Sequence, residues 1–404
     1  MTSTARRLLL VVPSGTSFLT FFRGIADEWR RSGGTVAVAT GPDLPGHSAA
    51  WPDGIQRFPL PAFRAGSPWR VLSASRELAA VVSRWNPSLV HAHFAAAVLA
   101  TALARTIGGA GERRWIGTFH GMHLSSAGPK STSSRLAAAA EKWAARRMDT
   151  VCVLNREDAA AVRDFLPKGH IRVVSSCGVG CDLNAFEPRR FPRSARDATR
   201  SCLGIAAEAL VVAYVGRRTA FKGYDVAVRG FVQAGIDHAV LLLVGSPDDT
   251  HASGLTPQER ADVAADSRVV DAGWQWDVAP FLAAADICLL PSVREGMPVT
   301  AMEALALGVP VVTVDARGCR DVVRGGIDGI VLPVADPSLV AETLVALAAD
   351  RSWLANLAKA AVAGRSRFDR RRYVLAENEL YSKELAALEP DGRGNAGRAR
   401  GVGR

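Results

Sequence analysis

A four-residue apolar run that enters a glycine-containing turn and then a helix narrows the fold of this chain more than any other segment. Asp286-Ile287-Cys288-Leu289-Leu290-Pro291 has the length and apolarity of a strand buried in a parallel sheet. Pro298 suits the first turn of a helix, and the pattern carries that helix to Gly308. Two carboxylates eight positions apart bracket the turn: Glu295 in the loop, and Glu303 about a turn and a half into the helix. Gly296 lets the backbone come close to a ligand, and the uncapped amides that follow it face any anion placed there. Carboxylates on either side of an anion site suit a ligand with hydroxyls at both ends and phosphate between them. A nucleoside diphosphate sugar has that layout.

The same grammar recurs upstream. Leu210-Val211-Val212-Ala213-Tyr214-Val215 is an apolar strand closed by Gly216, and two fixed cations follow at Arg217 and Lys222. Negative charge grows on a diphosphate as it leaves, so cations held beside it stabilise the transition state more than the ground state. Arg offers a planar fork and Lys a compact charge, together a phosphate clamp. A chain of 404 residues can bury more than one core, and its strand-like runs alternate with Ala-rich helical segments. The expected fold class is therefore α/β, with two doubly wound, Rossmann-like domains. Arg7 to Val12 is the expected first strand, and the Ser14-Gly15-Thr16-Ser17 turn supplies small side chains and amides at its end. That apolar run is too short for a secretory signal, and no window nears the ~18 uncharged residues of a membrane span, which predicts a cytoplasmic protein.

Glu295 and Glu303 together resemble the E-x7-E motif of the family 4 retaining glycosyltransferases, enzymes of the GT-B fold in which two Rossmann-like domains face an interdomain cleft. Gly216-Arg217 through Lys222-Gly223 is similar to that family's G-R-x(4)-K-G pattern, about 70 residues earlier in the chain. His120-Gly121-Met122-His123-Leu124 resembles the H-G-F-H-F segment of its capsule and exopolysaccharide members, and Gly178-Val179-Gly180-Cys181-Asp182 the segment that closes the first domain. The resemblance covers most of residues 8–385. It implies an N-terminal acceptor-side domain over 1–186, a linker over 187–203, a nucleotide-sugar domain over 204–367, a helix over 368–388 that crosses back, and a disordered tail over 389–404. It also implies roles. Glu295 would meet the donor sugar, His120 the donor sugar or its phosphate, Glu303 the ribose, and Arg217 with Lys222 the diphosphate; Gly15, Trp274, Gly296, Met297 and Pro298 would complete the donor site, and Ser14 and His123 the acceptor side. The implied reaction moves a hexosyl or N-acetylhexosaminyl unit, with retention, from a UDP-linked donor to a glycan or lipid-linked acceptor. Two other functions suit the same scaffold: a sugar-nucleotide epimerase or hydrolase that needs no acceptor, and a non-catalytic glycan-binding protein.

Metal and cofactor chemistry find little support. There is no D-x-D triplet, so fixed cations are expected to carry the charge without a metal or other cofactor. The His91/His93 and His120/His123 pairs have no Asp or Glu cluster beside them in sequence to complete a metal shell; His91 and His93 are expected to be structural. Six cysteines show no CxxC spacing and are expected to be buried, reduced thiols. Residues 1–182 hold 22 Lys and Arg against 12 Asp and Glu, whereas residues 183–404 hold 27 against 27. The basic half is drawn to anionic surfaces, either phosphorylated acceptors or the inner face of a membrane, with Ser134 to Met148 the amphipathic candidate. Nucleic acid is not an expected partner, because no helix-turn-helix, zinc-finger or RNA-binding motif accompanies the charge.

Overall fold

The computed structural model describes residues 6–43, 50–63, 67–124, 132–173, 178–248 and 251–388. Two parallel sheets organise the chain. Seven strands, β1 (Arg7–Val12), β2 (Thr35–Thr40), β3 (Gln56–Pro59), β4 (Leu89–His93), β5 (Arg114–Phe119), β6 (Thr150–Val153) and β7 (Ile171–Val173), lie in the order β3-β2-β1-β4-β5-β6-β7. Six more, β8 (Leu210–Val215), β9 (Ala239–Val244), β10 (Val269–Gly273), β11 (Ile287–Leu290), β12 (Val311–Val314) and β13 (Gly329–Leu332), take the order β10-β9-β8-β11-β12-β13. The central strands are buried at every position, as continuous runs of Leu and Val require when helices cover both faces.

Strand order reverses between β1 and β4 in one sheet and between β8 and β11 in the other. Open α/β sheets bind ligands at such reversals, beyond the carboxyl ends of the strands. Here those ends carry Ser14 and His93 in the first domain and Gly216 and Pro291 in the second, so topology alone sets the motif residues at two crevices.

The domains share a core. One apolar cluster runs from Leu8, Leu10 and Trp29 through Tyr381, Tyr373 and Phe368 to Met302 and Leu305. The Arg370–Ala386 helix makes that link, packing against the Arg23–Arg31 helix with Tyr381 edge-on to Trp29, centroids 5.6 Å apart. Its Glu384 carboxylate accepts from Arg114 Nε at 2.6 Å and from the Thr150 hydroxyl. The stretch read as a linker is ordered and belongs to the second domain. It contains the Arg193–Cys202 helix, whose buried Arg200 donates to the Ala284 carbonyl at 2.8 Å and pairs with Asp286 at 3.0 Å. Arg-rich composition there marks side chains that tie a helix down rather than a solvated tether. Cys152, Cys181, Cys288 and Cys319 are buried free thiols, whereas Cys202 is exposed, against expectation, at the end of this helix. Cys177 and residues 389–404 lie outside the described residues. No described helix is long and apolar enough to cross a membrane.

Candidate functional site

The two crevices open into one cavity of about 500 Å³ between the domains. Glu295, Gly296, Met297, Pro298, Arg217 and Lys222 line it from the second domain, and His120 and His123 from the first. Sequence reading brought these eight together.

Lys222 reaches the site through a tight backbone path. The single turn Ala220–Lys222 ends at Gly223, whose left-handed φ of +71° starts the Tyr224–Ala234 helix. A Cβ at Gly223 would fall 2.2 Å from the Pro291 carbonyl oxygen, so the turn must press against the loop after β11. Lys222 Nζ then meets Glu295 Oε1 at 2.6 Å, with side chains 24% and 9% exposed. Arg217 is more open, pairing with Asp248 at 2.6 Å and lying over the Phe221 ring. Arg294, a cation the sequence reading did not single out, also lies over Phe221 and lines the cavity. Burial, with the like charges of Arg317 and Arg217, lowers its pKa. Guanidinium groups crowded on one wall raise the positive potential there.

On the facing wall His120 is half-buried and neutral, its pKa pushed down to about 3 by burial. A histidine that resists protonation so strongly suits hydrogen bonding to sugar hydroxyls better than ion pairing with phosphate. Phe94 stacks on it at 4.2 Å while holding φ +73°, a conformation that costs a bulky residue about 1–3 kcal/mol. Phe22, at the end of a π-helical turn over Phe18–Phe22, meets His120 edge-on. His93 approaches His120 Nε2 at 3.4 Å but leaves its own Nε2 without a partner among the described residues. His91 is satisfied at both nitrogens, by Tyr381 and Thr118 at 2.7 Å each. His123 Nδ1 donates to Glu141 at 2.9 Å, and that buried carboxylate also accepts from the His123 and Leu124 amides at 3.1 Å. Glu141 was missed because a lone glutamate in an Ala-rich helix gives no sign of facing inward.

Four expected residues lie off the cavity lining. Glu303 sits half-buried in the Val299–Leu307 helix, has no hydrogen-bond partner among the described residues, and burial raises its carboxyl to about 7. Ser14 caps the turn after β1 by accepting from the Ser17 amide at 3.1 Å. Gly15 is buried against Asp43, which pairs with Arg57. Trp274 is 42% exposed and edge-on to Trp276, which borders a small void beside Gly15 and Trp51. Among the described residues no group of three or more His, Cys, Asp or Glu side chains could hold a metal ion.

Comparison with known proteins adds to this geometry. The family described as "Glycosyl transferases group 1" matches residues 209–350, and the one described as "Glycosyl transferase 4-like domain" matches residues 19–177. A 2-deoxystreptamine N-acetyl-D-glucosaminyltransferase of Streptomyces fradiae is 30% identical over 302 residues, 70% of this chain and 69% of that protein. A D-inositol 3-phosphate glycosyltransferase of Thermobispora bispora is 31% identical over 216 residues, 51% of this chain and 49% of that one. The chain thus spans about half the length of several curated relatives it matches. Among solved structures, Anabaena HepE in complex with UDP superposes with a TM-score of 0.69 at 20% identity, covering 94% of this chain and all of that one.

Proposed function

The chain belongs to the GT-B glycosyltransferases with group 1 and 4-like domains, and from that premise we propose that it moves a hexosyl or N-acetylhexosaminyl unit from a UDP-linked sugar to a hydroxyl of an acceptor, with retention. One observation carries the reading. Lys222, Arg217 and Arg294 converge on one wall of a cavity whose other wall presents the neutral His120 and the Glu141-braced His123. Arg217 and Lys222 take the charge of the departing diphosphate, while Glu295, already bonded to Lys222, holds donor-sugar hydroxyls and keeps that lysine in place. Glu303, one helical turn behind the lining, takes the ribose. His120 donates or accepts on the sugar, and His123 faces the acceptor.

The acceptor class is a hydroxylated ring, free or carried on a glycan or lipid. A glycan or lipid-linked sugar of an exopolysaccharide or capsule route is what the histidine segment suggests. The named relatives act on 2-deoxystreptamine and inositol 3-phosphate, which favours a free cyclitol as a second reading. The basic first domain is proposed to rest on anionic membrane when the acceptor is lipid-borne.

A melting-temperature screen against UDP, UDP-glucose and UDP-N-acetylglucosamine tests the donor: a ligand at a hundred times its Kd stabilises by about 2.7 kcal/mol. Incubation of the stabilising donor with each acceptor class then tests transfer, and turnover is expected to survive EDTA. Conversion of the donor at a rate no acceptor improves would replace transfer by epimerisation or hydrolysis.

A further inference from the structure

Opposite walls of the cleft meet at one buried guanidinium. Arg317 follows β12 and is 7% exposed. Its Nε donates to the Glu295 carbonyl oxygen at 3.1 Å, and its Nη1 to the Met122 carbonyl oxygen at 2.7 Å and to Asp158 Oδ1 at 2.8 Å. Glu295 belongs to the donor-sugar loop; Met122 and Asp158 belong to the other domain. Asp158 is fully buried at the start of the Arg156–Arg163 helix, whose N-cap is Asn155. Asn155 Nδ2 donates to Asp158 Oδ2 at 2.9 Å and, across the cleft, to the Gly296 carbonyl oxygen at 3.1 Å. At Gly296 the domains touch backbone to backbone, because a Cβ there would lie 2.4 Å from the His120 carbonyl oxygen.

Stability is a poor reason for such an arrangement. Desolvating a carboxylate and a guanidinium costs several kcal/mol per ion, and apolar residues of the same volume often do as well or better. What an apolar pair could not do is fix the distance between the 295–296 loop and the 120–123 loop, since that takes a planar fork serving acceptors in diverging directions.

We propose that Arg317, seated on Asp158, is a positioning residue that sets the donor-sugar loop against the facing histidine loop when the domains are shut, so that sugar transfer depends on it and nucleotide binding does not. This rests on the assignment of Glu295 and Gly296 to the donor sugar. Arg217, Lys222 and Glu303 all stand on the second domain, so the nucleotide keeps its contacts when the first domain swings away.

Full-length Arg317→Lys and Asp158→Asn, together with the double variant Arg317→Met/Asp158→Leu, test the idea. UDP affinity is measured calorimetrically, hexose release or transfer from UDP-glucose and UDP-N-acetylglucosamine by steady-state assay, and the radius of gyration of the UDP complex by small-angle scattering. The single variants are expected to bind UDP within about threefold of wild type, lose about 100-fold in turnover, the cost of an ångström-scale misplacement, and scatter as more open molecules. The double variant, with no charge left unpaired, is expected to regain melting temperature without regaining turnover. Unchanged turnover in Arg317→Lys, UDP affinity falling in step with turnover, or recovery of both stability and turnover in the double variant would each overturn the proposal. If wild-type protein bound no nucleotide, the donor assignment would fail instead; scattering of the nucleotide-free proteins then tests the positioning role alone, and curves alike for wild type and Arg317→Lys would overturn it.

Discussion

In the proposed donor site, Lys222 and Glu295 form one ion pair that would serve two ends of one ligand. With the ammonium 2.6 Å from the carboxylate and both largely buried, Lys222→Ala removes the proposed diphosphate cation and also strands Glu295. UDP affinity is expected to drop by about 10- to 100-fold, the worth of one charge-assisted hydrogen bond, and turnover by more, since the charge it meets grows as the bond breaks. Equal losses in calorimetric affinity and kcat/KM would show that Lys222 binds the ground state only. Glu303 makes a prediction of opposite kind. Its carboxyl is raised to about 7 by burial, and a ribose diol donates best to the ionised form, so in the proposed ribose-binding role the protonated fraction must first release its proton. Affinity for UDP should therefore improve as pH rises, by about tenfold between pH 6 and pH 8, and flatten above. Glu303→Gln should abolish this slope; a slope that persists in the variant assigns the titration elsewhere.

At the scale of elements, strands were the most legible part of the fold. The span from Arg7 to Val12 read from sequence coincides with β1, and the apolar runs before Gly216 and Pro291 are β8 and β11. Continuous Leu and Val runs closed by Gly or Pro leave a buried parallel strand little alternative. Arg193–Cys202 was illegible as a helix of the second domain because its polar, Arg-rich face hid a single buried contact residue, Arg200. Glu303 off the cavity lining and Trp274 turned outward show the same limit: one-dimensional spacing places a residue on an element, while its depth depends on how the neighbouring loop lies. Arg317 and Asp158 carried a faint signal. Asn155-x-x-Asp158 reads as a helix N-cap, yet nothing in sequence says that the second carboxylate oxygen faces another domain. The Arg370–Ala386 helix yields an energetic prediction. Tyr381 donates to, or accepts from, His91 Nδ1 at 2.7 Å in a site closed to water. Tyr381→Phe keeps the packing on Trp29 but removes that bond, leaving the imidazole nitrogen only the Glu377 carboxylate at 3.7 Å, at a cost of about 1–3 kcal/mol. Thermal unfolding is expected to show a lower melting temperature with UDP affinity unchanged.

The whole molecule is electrostatically lopsided, and its shape determines what that asymmetry can do. The net +10 lies in the first half of the sequence, 22 basic against 12 acidic residues over 1–182. In the first domain the Pro68–Trp85, Ala95–Gly108 and Thr132–Ala145 helices lie side by side. The outer two expose apolar side chains near their N-terminal ends, Trp69 at 80% and Leu136 at 67%, each next to an exposed arginine, Arg70 and Arg135. An aromatic ring or leucine flanked by cations is the arrangement that lets a surface helix settle into the headgroup region, with each basic residue near the surface adding about 1 kcal/mol on an anionic membrane. Screening sets the test: at 1 M salt the Debye length falls to about 3 Å, so attraction that depends on diffuse positive charge must fade while apolar insertion persists. Sedimentation with vesicles containing phosphatidylglycerol is expected to carry the protein down at low salt and release most of it at high salt, whereas phosphatidylcholine vesicles leave it in solution. Trp69→Ser should weaken the low-salt binding without changing its salt dependence, because it removes the apolar contact and no charge. Sedimentation that ignores lipid charge, or none at low salt, would confine the surplus of arginine to the solvated surface and direct the acceptor assignment toward a free cyclitol.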